Sequence, residues 1–467
     1  SLITVTLISL ALGYWLGGIM ADAAPLEGRL FTLIFSSALF LAAIPWVKTP
    51  VLGAMSSLGL RAGALVSASM LFAVPLILLS MVTPYAIRLS AKKIEGVGKT
   101  TGVLYAVSTV GSFIGALVTG FFLIPLLPVD KVVYLVSLLL AGVAIAPWIA
   151  YRMVTKVVLA ILFIILCVLF LFHSPSLSCG NGIQLLLRTE SPYGEILVVE
   201  NTSGRMLLVN GIMQGRTDPS GYPIDRCFYF MDAFFQQYAP DIKDSLMIGL
   251  GTGALPKLLQ QRRIKVDSVE IDPVIVDTAK KYFGFREEWG RLAIEDARHL
   301  IENTSSSYDA IFLDAYASEM LPYHLFSREA FAAMKRILRK RGILAMNLHD
   351  FQDMRNALFT RSIVMTLRKV FDHVLVFEVQ PWYDRRFRNI AIIASKTELT
   401  FRESVPVNLH APEFADMRIP EPIVIPSEID GVLISDGYNP VEKMYVPIAE
   451  SMRKNTLGVF PQEILLP

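Results

Sequence analysis

The sequence predicts a multi-pass α-helical membrane domain fused to a small β domain and an α/β domain. Three observations lead there. Six apolar runs of spanning length crowd the first 173 residues, and short alternating strand patterns begin near residue 183. From about residue 240, strand and helix patterns take turns, the first pair joined by the glycine turn of SLMIGLGTGALPKLL, residues 245–259. The expected boundaries are 1–173 for the membrane domain, 174–182 for a linker and 183–239 for the β domain. The α/β domain then takes 240–396, and 397–467 wraps it.

Composition supports the division. The 467 residues suffice for two or three domains, and 53% hydrophobic content is too high for an ordinary soluble enzyme. A net charge of +2 gives no basis for a nucleic-acid partner. Cys167, Cys179 and Cys227 lack metal-like spacing, so no zinc or other metal is expected; a Cys179–Cys227 disulfide stays open.

The six spans are expected at about 3–20, 30–47, 63–87, 101–126, 132–150 and 155–173, placing the chain in a lipid bilayer. Residues 1–20 read as a span rather than a retained signal, because further spans follow. Gly111 and Gly115, with Ser108 one turn earlier, read as a close helix–helix seam. Asp22 shares a short stretch with Glu27 and Arg29 and reads as a solvated loop acid. Loops after spans one, three and five carry Arg29, Arg88, Lys92, Lys93, Lys99, Arg152 and Lys156, against Lys48, Arg61 and Lys131 in the others. That bias places everything after span six outside. The chemistry of the second part argues for the cytosolic side instead.

In the second part, GEILVVENTSGRMLLVNG reads as antiparallel strands. SLMIG, KVDSVEI, DAIFLD and GILAMNL read as parallel strands, and HVLVFEV and RNIAIIAS as an antiparallel pair at one edge. This is a Rossmann-like order. Gly249 lets the chain leave the first strand, while Gly251 and Gly253 allow close approach of a nucleotide-like ligand. Glu270, ending VDSVEI, suits two ribose hydroxyls; NAD fits that much equally well. Asp296 in IEDARHL can accept the adenine amino hydrogens, and Asp314 in IFLDAY stands at the crevice mouth. A carboxylate there suits transfer from a sulfonium to an amine, because it can hold and deprotonate the incoming nitrogen. The competing reading makes Glu270, Asp296 and Asp314 helix caps. Tyr193, Gln214, Tyr222 and Tyr316 are possible pocket residues, and His299 and His324 read as structural.

The glycine turn, VEIDP, EDAR and FLDAY, in that order, resemble the spermidine/spermine synthase family of aminopropyltransferases over residues 183 to about 395. LALGYWLGGIMAD, GVLYAVSTVGSFIGALVTGFFLIPLL and LISDGYNPVEKM resemble its membrane-fused branch. That branch has another span before LGYWLGG, so a first helix is expected to be missing. The resemblance implies a class I methyltransferase-type fold, a homodimer, no metal, and decarboxylated S-adenosylmethionine as co-substrate. It implies that Glu270 takes the ribose, Asp296 the adenine, and that Asp314 activates the amine. Gln214 and Tyr222 match pocket residues of the family. Soluble members carry DSSDP after the fourth strand; here Ala317 replaces the second acid. Their Tyr-x-Glu continuation is Tyr222, Pro223, Ile224, Asp225 and Arg226. Losing a carboxylate weakens binding of a dication, which argues against putrescine as acceptor. The expected function is aminopropyl transfer to a small-molecule amine, releasing methylthioadenosine. The alternatives are methyl or aminocarboxypropyl transfer from S-adenosylmethionine itself, with Lys257 and Arg298 as candidate partners for its carboxylate, or a transporter or sensor with an adenosyl-binding domain.

Overall fold

The computed structural model describes residues 2–23, 25–55, 58, 60–90, 97–172, 182–239, 241–351, 357–381, 387–399, 419–426 and 430–459. Lys92, Lys93, Cys179 and most of the QPWYDRRF linker lie outside them. The chain divides into two compact units, one within residues 1–176 and the other within 177–461.

In the first unit, six described helices are long and apolar enough to cross a membrane: Leu2–Ala23, Glu27–Met55, Ala62–Ser90, Val97–Leu123, Val129–Ala150 and Val154–Phe172. Small residues let them pack. Ala141, Ala144 and Ala160 are fully buried around Trp148, whose ring meets Phe35 edge-on at 5.2 Å. The closest seam is not the expected one. A Cβ added at Gly13 would stand 2.5 Å from the Ile77 carbonyl oxygen, and one at Gly17 would stand 2.7 Å from Met81 Cα. Gly13 and Gly17 are themselves spaced as GxxxG, so the contact occurs on the first helix. Gly111 and Gly115, by contrast, have no described atom within 4 Å of an added Cβ, and helix Val97–Val118 buries none of its residues. A GxxxG spacing permits close approach but does not name the helix that makes it. Asp22 ends the first helix and pairs with Arg88 at 3.1 Å, both side chains well exposed.

The second unit holds two sheets. β1 (Gln184–Ser191), β2 (Gly194–Asn201), β3 (Gly204–Val209) and β4 (Ile212–Thr217) form an antiparallel meander. The strands of the β domain expected over 183–239 end at Thr217. Residues Arg226–Tyr238 are a helix, with Cys227, Phe230, Met231, Phe234 and Phe235 spaced three and four apart and buried against the larger sheet.

That sheet contains β5 (Asp244–Ile248), β6 (Lys265–Glu270), β7 (Leu292–Ile294), β8 (Tyr308–Leu313), β9 (Leu338–Phe351), β10 (His373–Pro381) and β11 (Phe387–Ser395). Their order is β10-β11-β9-β8-β5-β6-β7, with β5 to β9 parallel and β10 and β11 antiparallel. The central strands are apolar on both faces because both are covered. Along β8, Ile311 and Leu313 join one core while Ala310 and Phe312 join the other. Chain direction across the sheet reverses between β5 and β8, which opens a crevice at their C-terminal ends.

Candidate functional site

The glycine turn follows β5 at that crevice. Gly249 has φ +88°, and a Cβ there would stand 2.4 Å from the Asp314 carbonyl oxygen, so backbone packs on backbone. Gly251 has φ +55° and open space where its Cβ would be. It lines a cavity of about 450 Å³, and this bare floor is where a flat ligand can lie against the chain.

Glu270 ends β6 beside the turn. Its Oε2 accepts from the Leu250 N–H at 2.9 Å and its Oε1 from the Asp272 N–H at 3.1 Å, while burial pushes its pKa up. The carboxylate keeps lone-pair capacity for a ligand hydroxyl beyond its backbone donors. The capping alternative applies to its neighbour: Asp272 Oδ1 accepts from the Val274 N–H at 2.9 Å and caps helix Pro273–Phe283. Asp296 does cap its helix, Ala297–Asn303, through Oδ1 on the Arg298 N–H at 2.6 Å. Its Oδ2 lies 3.1 Å from His324 Nε2, and both residues line the cavity.

Asp314 follows β8 across the crevice from the glycines. Its backbone N–H donates to the Ile248 carbonyl at 3.0 Å, so β5 sets its position. Its side chain lines the cavity, where desolvation pushes its pKa up to about 6; an Asn347 hydrogen bond opposes the rise and the neighbouring Asp225 charge adds to it.

The cavity brings together Gly249, Gly251, Glu270, Asp296, Asp314, Tyr193, Gln214 and Tyr316. Gln214 Nε2 donates to the Ser318 carbonyl at 3.0 Å, tying β4 to the segment after Asp314. Gly253 and Tyr222 are not among the residues lining it. Gly253 faces Phe285, and the Tyr222 ring lies 4.6 Å beneath Lys257 Nζ. Thr252, Asp272, Glu295, His324 and Glu442 also line it. Glu442 opens the helix Val441–Val459, and no local sequence signal connects it to a site formed almost 200 residues earlier. The tail is pinned there: Asp436 Oδ2 accepts from Arg298 Nη2 at 2.7 Å, and Asn439 Nδ2 donates to the Tyr323 carbonyl at 2.8 Å.

Fold and crevice define a Rossmann-like transferase-type domain with room for an adenosyl ligand. Residues 235–402 match the family model described as the spermine/spermidine synthase domain. A polyamine aminopropyltransferase of Vibrio vulnificus is 32% identical over 201 residues, which are 40% of this chain and 66% of that protein. An N-terminal histidine N-methyltransferase of Emericella nidulans is 29% identical over 206 residues, 42% of this chain and 36% of the relative. The chain thus spans 66% and 36% of the lengths of these curated relatives. Among solved structures, a probable spermidine synthase from Corynebacterium glutamicum aligns with TM-score 0.42 and 22% identity, over 47% of this chain and 82% of that one. The chain thus carries a spermidine/spermine-synthase-like domain fused to an N-terminal bundle of apolar helices consistent with membrane spans.

Proposed function

We propose that the α/β domain transfers an aminopropyl group from decarboxylated S-adenosylmethionine to an amine acceptor, releasing methylthioadenosine. The observation that carries the reading is the charge of the cavity. Glu270, Asp272, Glu295, Asp296, Asp314 and Glu442 line it, and no Lys or Arg stands among the described lining residues. A donor that kept its carboxylate needs a cationic or amide partner; the decarboxylated donor brings only a sulfonium and an ammonium, which suit these walls. The two cations nearest in sequence are committed elsewhere. Lys257 Nζ bonds the Ser220 carbonyl, and Arg298 pairs with Glu302 and Asp436.

In this reading Gly251 admits the adenosyl group, Glu270 takes the ribose hydroxyls and Asp296 Oδ2 the adenine amine. Asp314 accepts a proton from the acceptor ammonium, freeing a lone pair. That nitrogen attacks the carbon next to sulfur, the C–S bond breaks, and its electron pair leaves on a neutral thioether. The Emericella relative supports a second reading, methyl transfer to an amine from S-adenosylmethionine, in which Asp314 does the same work.

Incubation of the full chain in detergent with each donor and a panel of amines separates them. Methylthioadenosine, formed only from the decarboxylated donor, is expected; S-adenosylhomocysteine as sole product overturns the first reading in favour of the second. Glu270→Ala is expected to weaken donor binding by about 2 kcal/mol in calorimetry. Tight NAD binding with no response to either donor would remove both readings.

Donor supply places this domain on the cytosolic side of the membrane, against the loop-charge bias. Protease protection in oriented vesicles reads the side directly. Cleavage near residue 215 from the outer face alone overturns the assignment.

A further inference from the structure

Beneath Asp314 runs a line of polar side chains, Asn389 buried and Asn347 and His349 half-buried, that no reading of the cavity uses. Asn347 and His349 project from the same face of β9, two residues apart, and Asn389 on β11 pairs directly with His349 in the strand register. Asn347 Nδ2 donates to Asp314 Oδ1 at 3.2 Å, and Asn389 Nδ2 donates to Asn347 Oδ1 at 3.3 Å. His349 is hydrogen-bonded to Asn389, and its Nδ1 lies 3.0 Å from the Tyr316 hydroxyl. The direction is fixed along the line. Because the Asn347 carbonyl oxygen accepts from Asn389, its amide NH2 is the end turned to Asp314.

We infer that Asn347 is a positioning residue for Asp314: held by Asn389 and His349, it fixes the carboxylate's orientation and favours its ionised form. The inference rests on the reading of Asp314 as the acceptor's proton acceptor. A carboxylate in this desolvated place needs a donor to stay charged, and Asn347 is the side chain that bonds it among the described residues. An acid at this position would repel it, and an aliphatic residue would leave it unsupported.

The other groups facing Asp314 leave its titration legible. Asp225, before helix Arg226–Tyr238, is paired with Arg216 Nε at 3.0 Å. The Cys227 thiol and the Tyr316 and Tyr445 hydroxyls are pushed well up by burial, and His349 is pushed down to about 4. Cys227, the two tyrosines and His349 therefore keep one charge state between about pH 5 and 8.

The test is the pH profile of kcat/KM for the full chain in detergent, comparing wild type, Asn347→Ala, Asn389→Ala and Asp314→Asn. Wild type should lose activity below about pH 6. Removing the Asn347 donor raises the Asp314 pKa, so the acid limb of Asn347→Ala should move up by about one pH unit, which lowers kcat/KM about twofold at pH 7 and about fivefold at pH 6. Donor affinity should stay within about twofold. Asn389→Ala should shift the limb the same way by less, and it carries the test should Asn347→Ala fail to fold. An unmoved acid limb in the folded variants, with Asp314→Asn inactive, overturns the positioning role while leaving the reaction standing. Full activity in Asp314→Asn instead overturns the reading of Asp314 on which both rest.

Discussion

Replacing Asp314 by asparagine is expected to lower turnover by about 100-fold, the usual worth of a positioned base, and at the same time to stabilise the fold. The two effects share one cause. The carboxyl's pKa is pushed from 3.8 to about 6 by desolvation and Asp225, with Asn347 acting in the opposite direction. A raised acid pKa means that the folded state binds a proton more readily than the unfolded chain. Stability therefore falls as pH rises from about 4 to about 6, and holding the ionised group at pH 7 costs about 1–3 kcal/mol. Asparagine keeps the shape without the charge. Its unfolding midpoint at pH 7 should lie above wild type, and the difference should vanish below about pH 4. Donor binding should change little. Loss of both activity and stability at pH 7 would show that Asp314 holds the fold together instead of serving chemistry.

Gly249→Ala should act in the opposite sense on stability. Its φ of +88° disfavours any side chain, and the added methyl would meet the Asp314 carbonyl oxygen at 2.4 Å and Ala315 Cα at 2.9 Å. Both are backbone atoms between two central strands and cannot swing aside. Strain and overpacking together are expected to cost about 2–4 kcal/mol, and the shift of Asp314 should abolish turnover. Gly251→Ala is the control. It shares the left-handed φ, at +55°, but meets nothing within 4 Å, so it should cost about 1 kcal/mol and chiefly weaken donor binding. Equal unfolding midpoints for the two variants would refute the different roles assigned to these glycines.

The glycine turn and the strand-end carboxylates were legible because each is written locally: an apolar run, a turn and a helix within fifteen residues, or an acid where a strand stops. The sheet followed from alternating apolar runs and helical stretches. Where contacts depend on distant partners, the sequence reading failed. Gly111 and Gly115 have the spacing of a seam, yet the packed seam is Gly13 and Gly17 against Ile77 and Met81. Helix Arg226–Tyr238 had a helical apolar pattern, but its aromatic residues also suit strands. Tyr222 was placed by likeness of motif and lies under Lys257 instead. Asn347 and Asn389 meet only because β11 returns antiparallel to β9 in one register, and Glu442 reaches the cavity through a fold of the tail.

Glu442 and Tyr445 also set a time order for the making of the site. Tyr445 and Val441 are fully buried in the same core as Leu246 and Ile248 of β5, some 190 residues earlier. During synthesis the part of this domain before residue 441 must therefore leave the ribosome with one flank of its central sheet still uncovered. Until the final helix arrives, that greasy flank is open to the wrong partners, and the cavity lacks one wall. A ribosome that stops before residue 441 releases a chain with the glycine turn and every lining acid but Glu442 in place, and its core unsealed.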